Sequence, residues 1–451
     1  MPSTQSQFSI LEASIISTST YDDESVVDVK SNVLELQFFE HIGKPFIDAK
    51  IVLIDDMGLK DAIGIQGTEK FRIVIGDPSG LEEPSIVKYF YISNITQTKK
   101  LNDRSEMLAI DLVEEQVFVD AIKQFSRSYT STLEDMITSI CERDLGKIVD
   151  KEDFDGSVQG VRKVIIPFMS PLSAIQWLKN RATSKIGAPI YLYSSLYQDE
   201  LKMANLDKLL QADVINDKLP LRFSKAVQGT DDPLRPYFEV LELNEIGGDN
   251  ALELYEDGAI GSFYSNLDAG TGNSVDNHIT IRDIIDEFYT NDLISADTIQ
   301  SIYDDALLIG GKLSDTYNSL HIHQVTSGGT YNQFLSYHDE STLLDDKNNI
   351  IESRLKVKNK IIRAIMKRNM IDIGIDGSML IRGKVSVGNK LRVLFLKSDA
   401  NGDEKDLSEQ VDMSKSGDYF IVAINNKMSS ESHVAQLRLT KLGDLPDNFT
   451  L

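Results

Sequence analysis

Cysteine is almost missing from this chain. Cys141 stands alone among 451 residues, so no internal disulfide can form and no cluster of thiolates can hold zinc. Reducing conditions suit such a chain. Long apolar runs are missing too: no stretch of about 18 apolar residues could cross a bilayer as a helix, which excludes direct membrane insertion by that route. The opening MPSTQSQFSILEAS lacks the basic-then-apolar layout of a signal peptide, so the expectation is a chain made and kept in a cytoplasm.

Basic residues are outnumbered, 46 Lys and Arg against 70 Asp and Glu, for a formal charge of −24. A field of that sign repels phosphate backbones and argues against sequence-specific nucleic-acid binding. It serves solubility first. A pore wall past which DNA must slide without adhering would carry the same sign.

Catalytic signatures are absent as well. Gly310-Gly311 and Ser327-Gly328-Gly329 lack the phosphate-loop pattern with its lysine, and neither GxSxG nor HExxH occurs. His321 and His323 would share one face of a strand, one way to hold zinc for a metal-assisted hydrolase, but no third ligand has recognisable spacing and half-exposed strand residues are the default. Asp399-Ala-Asn-Gly-Asp403 imitates the start of a calcium loop. Glu404 stands where such a loop needs glycine and Gln410 ends it, so a hairpin tip is the better reading. No catalytic residue, cofactor or metal site is nominated.

What is present is strand periodicity at both ends. Leu34, Leu36 and Phe38 share one face, as do Ile47, Ala49, Ile51 and Leu53; Phe71, Ile73 and Ile75; Phe90 and Ile92; and Leu108, Ile110 and Leu112. Turn chemistry separates these runs at 76–80 and 101–103. Then the period changes. Ser131-Thr132-Leu133-Glu134 reads as a capping box opening a helix that Gly146 stops, and a second helix starts at Ser170 with Pro171 at its first position, burying Leu172, Ile175 and Leu178.

Short strands follow at 190–193 and 201–203, then at 237–243 and 251–255 around the loop 247–250. The stretch 267–274 reads as a loop, leading to helices near 280–290, 296–309 and 351–368. Strands resume at 371–375, 379–387, 390–397, 418–426 and 433–440.

The expectation is a mixed α+β, multidomain chain: a first antiparallel β-barrel over 1–117, an α+β domain over 118–225, a second, split β-barrel over 226–265 and 371–451, and a helix-rich insertion over 266–370.

One segment reverses the charge. Arg354, Lys356, Lys358, Lys360, Arg363, Lys367 and Arg368 alternate with apolar residues. A solvated helix face is the default reading; a contact with a neighbouring subunit is the sharper one, because an acidic chain supplies its own complementary surface when it assembles.

Several segments resemble the central baseplate hub proteins of contractile-tailed bacteriophages, related to hub modules of other contractile injection machines. They are Gly67-Thr-Glu-Lys-Phe-Arg-Ile-Val-Ile75, Tyr89-Phe-Tyr-Ile-Ser-Asn-Ile-Thr-Gln97 and Glu106-Met-Leu-Ala-Ile-Asp-Leu-Val113 in the first barrel, and above all Ile166-Pro-Phe-Met-Ser-Pro-Leu-Ser-Ala-Ile-Gln-Trp-Leu-Lys-Asn-Arg-Ala182. Gly383–Val393, Gly417–Ile424 and Ala435–Leu439 are similar to strands of the family's second barrel. The region 266–370 matches no family pattern.

The resemblance implies a homotrimer in which each chain contributes two tube-like barrels. The three chains form a pseudo-six-fold ring that joins the tail tube proteins to the three-fold central spike protein around a channel for DNA, with wedge or tape-measure proteins as further partners. It implies a structural protein of the virion baseplate, assembled in the host cytoplasm, and not an enzyme. A β-rich carbohydrate-binding surface protein is the third reading.

Overall fold

The computed structural model describes residues 9–17, 25–56, 58–59, 67, 69–77, 85–102, 105–157, 161–224, 238–245, 261–268, 274–290, 307–308, 311–312, 321–326, 355, 358–363, 366, 370–397, 411–429, 432–443 and 445. The runs expected at 251–255 and the loops at 247–250 and 399–404 lie outside them.

Seven N-terminal strands come first: β1 (Ser9–Ser17), β2 (Ser25–Asp28), β3 (Val33–His41), β4 (Asp48–Asp55), β5 (Lys70–Gly76), β6 (Ile86–Lys100) and β7 (Glu106–Val113). They pair antiparallel in the order β3-β4-β7-β6-β5-β1-β2. Every second residue faces one core, as the alternation requires: Leu36, Phe38, Ile47, Ile51, Leu53, Phe71, Ile73, Phe90, Leu108 and Ile110 are fully buried there. Burying each large apolar side chain contributes about 1.5–3 kcal/mol.

The sheet curls around this core. In a flat sheet β3 and β6, with β4 and β7 between them, would lie about 14 Å apart; the Phe38 and Phe90 rings on those strands are 5.8 Å apart. Leu34 departs from the expected face. The register shifts between Val33 and Glu35, and this bulge turns Leu34 out to 41% exposure.

The next unit has its own core, built from α1 (Glu115–Ile122), β8 (Phe125–Ser131), α2 (Leu133–Ile140), β9 (Val149–Asp150), β10 (Arg162–Met169), α3 (Pro171–Lys179), β11 (Ile190–Ser194) and β12 (Leu201–Asn205). Met136, Ile137, Ile140, Ile175 and Leu178 are buried in it. The α2 cap is shifted by one residue from the expected box: Thr132 Oγ1 accepts from Asp135 N at 3.3 Å, while Glu134 accepts from Ser157 Oγ. Gly146 ends this helical stretch at φ +69°, a conformation glycine adopts without penalty. Helix α1 was not expected from the sequence, where Val117, Phe118 and Val119 are β-prone; Phe118 stacks on Tyr91 of β6 at 5.1 Å.

A short helix α4 (Leu206–Gln211) follows, then β13 (Leu221–Ser224) and β14 (Glu242–Glu245). Next come β15 (Gly261–Asp268), β16 (Ser274–Thr280), α5 (Ile281–Thr290), β17 (Leu307–Leu308), β18 (Gly311–Lys312) and β19 (His321–Thr326). Strand β15 sits between β16 and β19 in a separate three-stranded sheet and has no ladder with β14. The expected loop at 267–274 therefore begins and ends in strand. Leu307–Leu308 is strand where helix was expected, so the described part of 266–370 mixes strands with helices and is not simply helical.

The C-terminal strands are β20 (Met370–Asp376), β21 (Lys390–Leu396), β22 (Gly417–Ser429) and β23 (His433–Gly443). Helix α6 (Ser378–Gly383) replaces the strand expected at 379–387: Asp376 Oδ1 accepts from Ser378 N at 2.8 Å and turns the chain into it. Strand β14 pairs with β20, and β13 pairs parallel with β21. The second core, with Phe420, Ile421, Leu437 and Leu439, also takes in Ile284, Ile361 and Ile362 from the insertion.

The fold is thus β-rich, mostly antiparallel and multidomain. One point differs from two separate barrels: β22 pairs along β3 from Ala423↔His41 to Ser429↔Glu35. N- and C-terminal strands form one 13-stranded sheet with two cores, and among the described residues no ladder closes either lobe on itself.

Candidate functional site

The seam between β3 and β22 is where all three large units meet. Beyond the end of β3, residues 42–47 are held from every side. Ile42 N donates to Val422 O of the C-terminal lobe at 3.0 Å, and Lys179 Nζ of α3 reaches Gly43 O at 3.4 Å. Ser194 N donates to Lys44 O at 3.4 Å, and Gln116 Nε2 to Pro45 O at 3.1 Å. Tyr197 adds a bond to Leu380 O at 3.0 Å, tying the α+β unit to the C-terminal lobe.

Behind the seam lies a buried polar cluster. Alternation along β3 sends Leu36, Phe38 and Glu40 inward, so a carboxyl follows two hydrophobes into the core. Ser386 Oγ donates to Glu40 Oε2 at 2.7 Å, whereas Glu40 Oε1 has no hydrogen-bond partner. Burial pushes this carboxyl up to about 7, against the smaller opposing pull of the Ser386 bond and the Lys88 charge. Lys88 itself is buried and lies 3.4 Å from Glu114 Oε1 and 3.5 Å from Asp199 Oδ1, while donating to Gln198 O at 2.6 Å. Glu114 Oε2 accepts from Ile47 N at 2.8 Å and from Gln116 Nε2 at 2.7 Å.

Two further buried polar residues share this face. His433 Nε2 lies 3.3 Å from Asn426 Oδ1, and His433 Nδ1 and Asn426 Nδ2 have no partner. Burial lowers His433 to about 4. On the opposite, solvent side of the same strands runs a groove of about 720 Å³ whose lining includes Phe39, His41, Asn425, Asp372, Gln436 and Arg438. Arg438 grips Asp372 with two bonds of 3.0 Å.

The basic run lands only partly on the surface. Arg354, Lys356, Lys367 and Arg368 lie outside the described residues. Lys358 is turned inward, 4% exposed, with an ion pair to Glu287 and a 3.5 Å bond to Ile186 O. Arg363 Nε donates to Asn359 Oδ1 at 2.7 Å and its guanidinium lies over the Tyr191 ring. These two hold the insertion against the chain's own core; Lys360 is exposed. Sequence reading could not separate them, since Lys358 faces a glutamate 71 residues away.

His321 and His323 sit on β19 opposite Phe263 and Ser265 of β15. Among the described residues no group of three His, Cys, Asp or Glu could hold a metal ion, and no helix is long and apolar enough to cross a membrane. Cys141 is buried, which pushes its thiol up to about 12. Glu40 and Lys88 carried no sequence signal, since each occupies an ordinary strand position.

No protein-family model matches the chain, and no curated protein matches its sequence. Among solved structures, it is similar to the tail protein from Neisseria meningitidis MC58: TM-score 0.53 and 10% identity, over 95% of this chain and 96% of that one. The 43 kDa tail protein of prophage MuSo2 from Shewanella oneidensis aligns with TM-score 0.49 and 11% identity, over 95% and 98%. An E. coli component of the type VI secretion system aligns with TM-score 0.39 and 7% identity, over 93% and 75%. This chain shares the fold of the Neisseria tail protein along nearly its whole length.

Proposed function

We propose that the chain is a structural subunit of a phage-type tail, a baseplate hub protein that assembles as a homotrimeric ring. In this reading the two lobes are two tube-like barrels per chain, and three chains present six positions around a channel for DNA. The observation that carries it is the β3–β22 ladder, which makes the N- and C-terminal lobes one continuous wall. Rings close through heterologous contacts, and two modules per subunit turn a three-fold ring into a pseudo-six-fold one. The fold shared with the Neisseria tail protein supports the same reading.

Such a ring joins a six-fold tail tube to a three-fold central spike, with wedge or tape-measure proteins meeting the 266–370 insertion. Its place is the virion baseplate after assembly in the host cytoplasm, and its work is geometric, not catalytic. Of the basic run, exposed Lys360 is the described residue best placed for a subunit contact.

Solution mass and negative-stain images test this directly. The expected particle has the mass of three chains and shows six lobes around a central hole. A monomer at high concentration, unchanged by purified tube and spike partners, would sink the proposal.

A further inference from the structure

The buried cluster at the seam has an uneven charge count. Two buried carboxylates, Glu40 and Glu114, face one buried ammonium, Lys88, which is already engaged by Glu114 at 3.4 Å and by the exposed Asp199 at 3.5 Å. Among the described residues, Lys88 is the one cation whose charge acts on Glu40. From β22 comes Ile424, opposite Glu40 in the ladder; from the loop after α6, the Ser386 hydroxyl; from the α+β unit, the Leu196 backbone and the phenols of Tyr193 and Tyr197, both pushed up by burial. A dry cluster with one surplus negative charge is relieved by one proton.

We propose that the Glu40 carboxyl is a proton-operated latch of the β3–β22 seam: protonated, it sits dry between the two lobes and the α+β unit; on losing its proton to solvent, it favours an opened seam that lets water reach it. The site suits such a role because Glu40 lies on the strand shared by both lobes, opposite Ile424 in the ladder that joins them. Ser386 donates to it from across the lobe boundary.

The direction of the pH effect follows. The ordinary carboxyl value is 4.5 and the folded value about 7, so between them the native state holds more protons than the unfolded chain. Stability from this group therefore falls as pH rises through that window, is unaffected below it, and carries the full penalty above it. His433 gives the opposite slope between about 4 and 6.5, because its folded form resists protonation. The difference between wild type and Glu40→Gln, in which the amide mimics the neutral acid, isolates the latch.

The full-length chain and its Glu40→Gln variant are followed by urea unfolding at pH 5, 6, 7 and 8, and by hydrogen exchange of β3 and β22 amides. The two proteins should agree near pH 5. The variant should then gain progressively on wild type, with seam amides exchanging at least tenfold more slowly at pH 8 after the common base-catalysed factor is removed. Parallel stability curves, or identical seam exchange, overturn the latch. Should the variant fold poorly, isotope-edited infrared titration of the wild-type carboxyl decides: a buried carboxyl that titrates near neutral pH supports the proposal, and full ionisation by pH 5.5 refutes it. A mass or image result against the trimeric ring would leave this inference standing, because it concerns one chain.

Discussion

The N-terminal lobe draws β1 to β7 from one stretch of chain, residues 9–113, while the C-terminal lobe gathers β13, β14 and β20 to β23 from residues 221–443. Neighbours such as β3–β4, β5–β6 and β6–β7 pair as consecutive strands in the first lobe. In the second, β13 and β14 must find β21 and β20 across the whole insertion. Closing a longer loop costs only slightly more entropy, but it supplies no turn to set the register. Specific polar ties do that instead. Asn216 clamps the Arg392 backbone through bonds of 2.7 and 3.0 Å, and the Arg392 side chain binds Asp217 and, at 2.7 Å, Asp418.

The largest expected effects test whether the lobes remain one cooperative body. Phe90→Ala in the first core and Phe420→Ala in the second should each cost about 3–5 kcal/mol, and the shared β3–β22 ladder should make both lower a single unfolding transition in urea. Two separate transitions, one per variant, would break the seam. Next, Arg392→Met should cost about 2–3 kcal/mol, a buried-pair loss discounted for the partial exposure of Asp418. It should also raise hydrogen exchange in β13 and β21 but not in β4 and β7, which sharpens the contrast between local and remote assembly.

Gly377→Ala probes the tight packing of the second lobe. A Cβ there would run into the His433 ring, so a loss of about 1–3 kcal/mol is expected, read from the thermal midpoint.

Lys179→Met should go the other way. Burial, with the nearby Arg363 charge, lowers this amine from 10.5 to about 7. The unfolded chain binds more protons between those values, so wild-type stability from this group rises with pH across that window. The variant should be more stable by about 1–4 kcal/mol at pH 7 and should lose the rise; an unchanged slope in urea titrations at pH 7 to 10 would show that the amine is solvated. Smallest of all, Arg438→Ala removes an exposed pair with Asp372 and should cost less than about 1 kcal/mol in the same assay.

The same contrast governs how much could be read in advance. Ile47, Ala49, Ile51 and Leu53 were legible as one buried face because alternation is a property of a single strand. Leu34 was not, because a bulge against β4 decides its side. Helix α6 reads as strand from sequence because Met379, Leu380 and Ile381 are apolar in either state, and the turn-setting Asp376 contact is a detail of geometry. The basic run was visible as composition, yet whether Lys358 faces water or Glu287 depends on where α5 packs.

By itself the sequence determined the absence of disulfides, the acidic net charge, most strand faces of the first lobe and helices α2 and α3 of the unit that follows, since each depends on residue type or local spacing. Only the tertiary structure decided that β22 runs along β3, which joins two lobes into one sheet and encloses Glu40 where three units meet. Strand pairing between distant segments is chosen by edges, bulges and polar ties that exist only once both partners are in place. For that reason the seam, and the unbalanced charge behind it, had no trace in the one-dimensional pattern.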